Sequence, residues 1–351
     1  MKHMIAPPEL FRHYPELRQR LAWTPLARPT PVELLPRLQA HVRGPAIWLK
    51  REDRTSERFG GSEARELEFL FGVALRRGSR RLLAFGHAGS RPCLALTAFA
   101  QHFDLETILA LRGRGPDPVG RDTPPLERSF GADLHRLDGG PVAFLRLLRR
   151  CTARAPRRGG PRLPFVVWPW RAALFGALGT VNAVFELQRQ IRCGILPEPE
   201  RLYAGTDSTA TLAGLALGCE LAGLRTVVVC PPGQAVRQRA LRLARRSDTF
   251  LRRHVHDFPA HALLAGRLVS VAATAASPTP RQARTLLREV EGVALDSAAG
   301  AAAMALLVAD CRDGAVRAPC LFWYTDPPPL QRPAASVEAL PGESRTFTVP
   351  S

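Results

Sequence analysis

Lysine is nearly absent from this chain. Of the 49 basic residues among 351, only Lys2 and Lys50 are lysines, and the rest are arginines. Amine chemistry therefore has two candidate side chains at most. Tyrosine is scarce too, with three in the whole chain, and none sits among the basic clusters. Those clusters are Arg76-Arg77 with Arg80-Arg81, Arg157-Arg158, Arg242 with Arg245-Arg246, and Arg252-Arg253. Without interleaved aromatics they offer no platform on which bases could stack. Most of them read as helix ends, where the helix dipole favours cations. The formal charge of +18, built from arginine beside abundant alanine, glycine and proline, reads as composition. It implies nonspecific attraction to polyanions at low salt, with no nucleic-acid partner expected.

The seven cysteines, Cys93, Cys151, Cys193, Cys219, Cys230, Cys311 and Cys320, contain no CxxC spacing. An odd, scattered set builds neither a disulfide framework nor a zinc site, so reduced core thiols and no metal are expected. No apolar run approaches the roughly 20 residues of a membrane helix. The longest candidate, Ala298 to Ala309, is too short. Met1 to Leu10 carries Pro7-Pro8 and lacks the apolar core of a signal peptide. The expectation is a cytoplasmic protein with no membrane partner.

What is present is a large apolar inventory. Hydrophobic residues make up 46% of the chain and charged residues 23%, enough for about two domains with a substantial core. Strand-length apolar runs alternate with helical periodicity. Strands are expected at Ile47–Leu49, Leu82–Phe85, Thr107–Leu111, Phe165–Trp168, Leu202–Ala204, Thr226–Cys230 and Cys320–Tyr324. Helices are expected from Ser62 as N-cap to about Arg77, after Pro92 to His102, and over Val142–Cys151, Gly176–Gln190 and Leu212–Leu221. Further helices are expected over Gln234–Arg246, Arg281–Glu291 and Ala299–Cys311. His254 to Pro280 shows no readable period. Such alternation predicts an α/β fold with mostly parallel sheets, whose ligand crevice lies at the carboxyl ends of the strands. The loops Arg51–Glu63, Gly86–Pro92 and Gly205–Leu212, and the turn after Tyr324, are therefore the places to look for chemistry.

Several segments carry a resemblance. They are Thr30-Pro31-Val32-Glu33-Leu34-Leu35-Pro36-Arg37, Trp48-Leu49-Lys50-Arg51-Glu52-Asp53 and Gly60-Gly61-Ser62-Glu63-Ala64-Arg65-Glu66-Leu67-Glu68-Phe69. Further on come Gly176-Ala177-Leu178-Gly179-Thr180-Val181-Asn182-Ala183, Ala213-Gly214-Leu215-Ala216-Leu217-Gly218, and Leu295-Asp296 with Ala303-Met304-Ala305. In this order the chain resembles the fold type II pyridoxal-phosphate enzymes, in particular the 1-aminocyclopropane-1-carboxylate deaminase and D-cysteine desulfhydrase group. The resemblance implies the tryptophan synthase β-like two-domain fold. The larger domain would comprise residues 1–52 with 165–331, and the smaller residues 53–151. A linker at 152–164 and a loose tail at 332–351 complete the expected organisation.

The residues that the resemblance implies for chemistry are largely replaced. Where the family has Gly-Gly-Asn-Lys, with a lysine that forms the cofactor imine, this chain has Gly60-Gly61-Ser62-Glu63. A carboxylate cannot supply the amine that an imine requires. Lys50 matches a different position, on the preceding strand. Glu63 also has a bland reading, as a first-turn acid favoured by the helix dipole. The phosphate loop, glycine-rich in the family, is Asp207-Ser208-Thr209-Ala210-Thr211 here. Asp207 would set a negative charge against a phosphate, which at about 4 Å and an effective dielectric near 20 costs on the order of 4 kcal/mol per unit charge. Otherwise Asp207 or Ser208 simply caps the next helix. Of the loop that reads Gly-Ser-His-His or Gln-Ser-Asn-His in relatives, Gly89-Ser90-Arg91-Pro92 keeps the serine. Ala299 stands at the tyrosine position, Ala302 at a lysine position, and Trp170-Arg171 in place of small residues. Thr325 remains where a pyridine nitrogen would be met. Ser90 and His87 form only a weak nucleophile-base suggestion.

The expected function is a pseudoenzyme with vestigial residues at Asp207, Ser208, Thr209, Ala210, Thr211 and Thr325 and no pyridoxal phosphate. It would act as a homodimer, or as a heterodimer with an active paralogue. The alternatives are a repurposed crevice lined by Glu63, Ser90, Arg91, Asp207, Thr211 and Thr325 that binds an amino acid-like metabolite without cofactor, or an active pyridoxal-phosphate lyase or deaminase.

Overall fold

The computed structural model describes residues 7–87, 90–112, 130–137, 140–153, 161–259, 264–272 and 277–326. Two short helices, α1 (Glu9–His13) and α2 (Leu17–Arg20), precede strand β1 (Val32–Leu34), helix α3 (Pro36–Val42) and strand β2 (Ile47–Arg51). Helix α4 (Ser62–Arg76), strand β3 (Arg81–His87), helix α5 (Arg91–His102) and strands β4 (Glu106–Arg112) and β5 (Asp133–Arg136) follow, then helix α6 (Gly140–Ala153) and strand β6 (Phe165–Val167). The chain continues through α7 (Pro169–Arg192), β7 (Arg201–Ala204), α8 (Thr209–Leu221), β8 (Val227–Cys230) and α9 (Gln234–His254). It ends its described course with α10 (Leu264–Arg267), β9 (Leu268–Ser270), α11 (Pro280–Glu291), α12 (Ala298–Arg312) and β10 (Cys320–Tyr324).

Two sheets result. The larger has six strands in the order β1-β2-β10-β7-β8-β9, parallel except for the antiparallel pair β1–β2. The smaller has four parallel strands in the order β5-β4-β3-β6. Strand β10 is buried at all five positions, which is why Cys320-Leu321-Phe322-Trp323-Tyr324 reads as an unbroken apolar run. The α/β fold with largely parallel sheets is the one expected.

The short elements escaped the sequence. Strands β1 and β9 have three residues each and β5 has four with no fully buried position, too little to show a period. The region expected to be unreadable holds α10 and β9. Helix α9 runs to His254, well beyond Arg246. Arg242, Arg245 and Arg246 therefore lie in mid-helix, exposed on the face opposite Ala240, Leu241, Leu243, Ala244 and Leu251, and not at a helix end. Gly61, not Ser62, is the N-cap of α4. Of the expected linker, Thr152 and Ala153 still belong to α6, residues 154–160 lie outside the described residues, and so does the expected tail at 332–351.

Helix α7 is the hub on which α4, α8 and α9 pack. Its contact with α4 is backbone-close: a Cβ on Gly179 would come within 1.9 Å of the Arg65 carbonyl oxygen. Gly179→Ala should therefore cost about 2–3 kcal/mol through forced separation of the helices, measured by chemical denaturation.

Helix α4 also holds the N-terminal segment. Glu68 Oε1 accepts hydrogen bonds from the Leu26 and Ala27 backbone N–H groups, both at 3.2 Å. Burial pushes the Glu68 carboxyl from 4.5 up to about 7, against the pull of Arg65 and those N–H donors. The folded protein thus holds a proton that the unfolded chain releases, so stability falls as pH rises from about 4.5 to about 7. Thermal denaturation across that window should show the slope in the natural protein and a flatter one in Glu68→Gln.

Candidate functional site

Four buried charges, Lys50, Glu52, Arg65 and Glu186, form one network. Lys50, at the C-terminal part of β2, donates its ammonium hydrogens to Glu186 Oε1 (2.5 Å), the Thr30 carbonyl oxygen (2.8 Å) and Gln190 Oε1 (2.9 Å). Arg65 of α4 grips Glu52 with Nε (2.7 Å) and Nη2 (3.0 Å), and its Nη2 also lies 3.0 Å from Glu186 Oε2. Thr30 donates its hydroxyl to Glu52 at 2.5 Å. Burial pulls the Lys50 ammonium pKa down, opposed by Glu186 and Glu52. Burial would raise Glu186, but Arg65 and Lys50 outweigh it and hold the carboxyl below its usual range. All three ammonium hydrogens are committed, and Lys50 is fully buried.

Glu63 occupies the first turn of α4, buried, in a two-point pair with Arg91 at the start of α5. Arg91 Nε lies 3.0 Å from Glu63 Oε1 and Nη2 3.2 Å from Oε2. Gly61 sits between them with φ +96°. A Cβ there would meet Glu63 Oε2 at 2.7 Å, the Thr325 carbonyl oxygen at 2.9 Å and Arg91 Nη2 at 3.2 Å, so only glycine lets these groups converge. The carboxyl ends of β2 and β10 and the N-termini of α4 and α5 thus meet at one point, as the crevice rule requires. Thr325 is buried and donates its hydroxyl to the Gly205 carbonyl oxygen at 2.9 Å.

One turn further along α4, Glu66 reaches the start of α8. Its Oε1 accepts hydrogen bonds from Ser208 Oγ and Thr211 Oγ1, both at 2.7 Å. Ser208 is the N-cap, taking the Thr211 N–H on its hydroxyl at 3.3 Å. Burial and the Glu63 carboxylate push the Glu66 carboxyl up, while the two hydroxyls pull it down. Thr209 and Ala210 form the first turn behind Ser208. Asp207 is exposed and does not cap, so the carboxylate that meets this helix start is Glu66 and not Asp207. Glu66 was missed as a site residue. Its signal was its place three residues after Glu63, on the same helix face.

The remaining expected residues are less engaged. Ser90 is the N-cap residue of α5, half-buried, without a side-chain cap bond. His87 is the last residue of β3 and not in the following loop, and its Nδ1 lies 3.2 Å from the Arg112 carbonyl oxygen. Ala299 sits half-buried in the first turn of α12. The loop before that helix is held by Asp326, whose Oδ2 accepts the Asp296 and Ser297 N–H groups at 2.8 and 2.9 Å. Trp170 is exposed with the Arg171 guanidinium over its ring, 5.3 Å from the centroid. Among the described residues no group of His, Cys, Asp and Glu could hold a metal ion.

The fold is that of a crystal structure of an ACC deaminase homologue, with a TM-score of 0.65 at 22% identity over 91% of this chain and 95% of that one. A fungal L-serine ammonia-lyase from Rhizomucor miehei is alike at a TM-score of 0.55 and 16% identity, over 87% of this chain and 96% of that one. The pyridoxal-phosphate dependent enzyme family matches residues 23–326, and the chain belongs to it. A D-cysteine desulfhydrase of Klebsiella pneumoniae is 31% identical over 202 residues, 56% of this chain and 59% of that protein. A Pyrococcus horikoshii protein named provisionally as a 1-aminocyclopropane-1-carboxylate deaminase is 30% identical over 192 residues, 55% of this chain and 56% of that protein. The chain thus spans a little over half the length of these two relatives. Nocardicin C-9′ epimerase of Nocardia uniformis is 29% identical over 294 residues, 80% of this chain and 85% of that protein.

Removing one member of the buried network leaves an unpaired charge. Lys50→Met should destabilise the protein by about 3–5 kcal/mol in urea unfolding. Adding Glu186→Gln should recover more than half of that, since Arg65 and Glu52 then balance each other.

Proposed function

We propose that this chain keeps the family's fold and serves as a binding or regulatory partner, without carrying out pyridoxal-phosphate chemistry. The observation that carries this reading is the state of its amines. The position where the resemblance implies an imine-forming lysine holds Glu63, paired with Arg91. Lys50, the one lysine among the described residues, spends all three ammonium hydrogens in a buried network. An imine requires a free, unprotonated amine at the cofactor aldehyde, and guanidinium groups do not supply one. On this reading pyridoxal phosphate does not fit the residues present, and no step is routed through it. The partner is a second copy of the chain or a catalytically active relative. The expected cytoplasmic location belongs to the same reading. It draws support only from the absence, among the described residues, of a helix long and apolar enough to cross a membrane.

A second reading has its own observation. Glu63 and Arg91 set opposite charges side by side at the crevice, with the Arg91 side chain 46% exposed. An amino acid-like zwitterion has the matching pair of charges, and could exchange with that ion pair without a cofactor.

The test is to add excess pyridoxal phosphate to the purified protein and to record the visible spectrum and the intact mass before and after borohydride reduction. The expected outcome is no adduct on Lys50, with any reduced label confined to Lys2 and the terminal amine. A reducible adduct mapped to Lys50 would overturn the proposal and restore an active lyase or deaminase. Isothermal titration with small amino acids, comparing the natural protein with Arg91→Ala, separates the two non-catalytic readings: binding lost in the variant selects the second.

A further inference from the structure

A carboxylate rests on the start of α8 with no cation to hold it there. The partners of Glu66 are the Ser208 and Thr211 hydroxyls, and among the described residues no arginine lies within ion-pair distance of it. The charged side chain that acts on it is Glu63, of the same sign. Its stem is seated closely: a Cβ on Gly176 of α7 would stand 3.2 Å from both Cβ and Cγ of Glu66 and 3.1 Å from the Ala210 Cβ. Three helices therefore converge on this side chain, with glycine on one of them making the room.

From this geometry we infer that Glu66 is a tethered carboxyl that occupies the two hydroxyls at the start of α8 and makes the site reject phosphate-bearing ligands. A helix start favours negative charge through its free N–H groups and dipole. Here the two hydroxyls that would face an external oxyanion donate to the protein's own carboxylate. A phosphate entering would have to displace the Glu66 carboxyl from both hydroxyls and share the pocket with it. This deepens the proposed function, on which it rests, by naming the residue that decides which ligand class the crevice refuses. It does not rest on the amine argument from Lys50 and the missing lysine at position 63, which concerns the aldehyde end of the cofactor and not its phosphate.

The experiment uses the full chain and inorganic phosphate as the probe. Phosphate binding is followed by ³¹P NMR titration against chloride at matched ionic strength, in the natural protein, Glu66→Gln and Glu66→Ala. The expected result is no saturable binding to the natural protein and an affinity at least about a hundredfold higher in the variants, lost again when Ser208→Ala is added. Equal binding by the natural protein and the variants would overturn the inference, and so would no binding by any of them. A measurement on the natural protein covers the case of variants that do not fold. The ¹³C titration of the Glu66 carboxyl should have its midpoint above the ordinary glutamate range and should not respond to phosphate. An ordinary midpoint, or a phosphate-dependent shift, would overturn the inference. Pyridoxal and pyridoxal phosphate are then compared on the variants: phosphate-dependent affinity without an imine on Lys50 leaves the proposed function standing, whereas an imine on Lys50 in the natural protein sinks that reading alone.

Discussion

The buried contact among Lys50, Glu186, Arg65 and Glu52 ties the site to the fold. Two positive and two negative side chains, each nearly inaccessible to water, join β2, the turn after it, α4 and α7. Burying any one of them alone would cost several kcal/mol of lost hydration. Together they neutralise each other, and Thr30 and Gln190 satisfy further hydrogen-bonding positions through side chain and backbone. A network of this kind is permissive about energy and strict about geometry. It fixes how α4 leaves β2 and how closely α4 lies along α7, and so it fixes where the first turn of α4 presents Glu63 and Glu66.

That constraint explains why so much of the scaffold was legible and so little of the site's wiring was. The strands of the sheet interiors announce themselves as apolar runs because both of their faces are covered, as in β10 and β8. The long helices show their period because one face is buried. Edge strands such as β5 have neither property, and α9 was cut short because Arg245-Arg246 looked like a helix end. The motif order identified the crevice loops, and the structure gathers Glu63, Arg91 and Thr325 around Gly61. What one dimension hides is pairing: Glu66 meets Ser208 and Thr211 across 142 and 145 residues, and Lys50 meets Glu186 across 136.

The two carboxylates at the start of α4 are handled in different ways, and the difference follows from their neighbours. Glu63 is balanced by a guanidinium in a two-point contact, a charge-assisted geometry that arginine forms better than any other side chain. Glu66 is met by two hydroxyls, which favour its ionised form, while burial and Glu63 oppose it and push its pKa up. At the start of α4, Glu63 and Glu66 are thus both engaged by side chains of the protein itself.

The arginine skew belongs to the same logic. Guanidinium carries five donors in a fixed plane and stays protonated, which suits it to buried pairing and to collecting carbonyl oxygens. Arg65 does the first, and Arg81 does the second, donating to the Cys151 and Arg162 carbonyls. The same permanence of charge makes guanidinium useless as an amine nucleophile at neutral pH. A chain whose cations are almost all arginine keeps ion pairing and surface charge with only two side-chain amines. The one lysine left in the described structure is spent where an ammonium's three hydrogens hold a fold together.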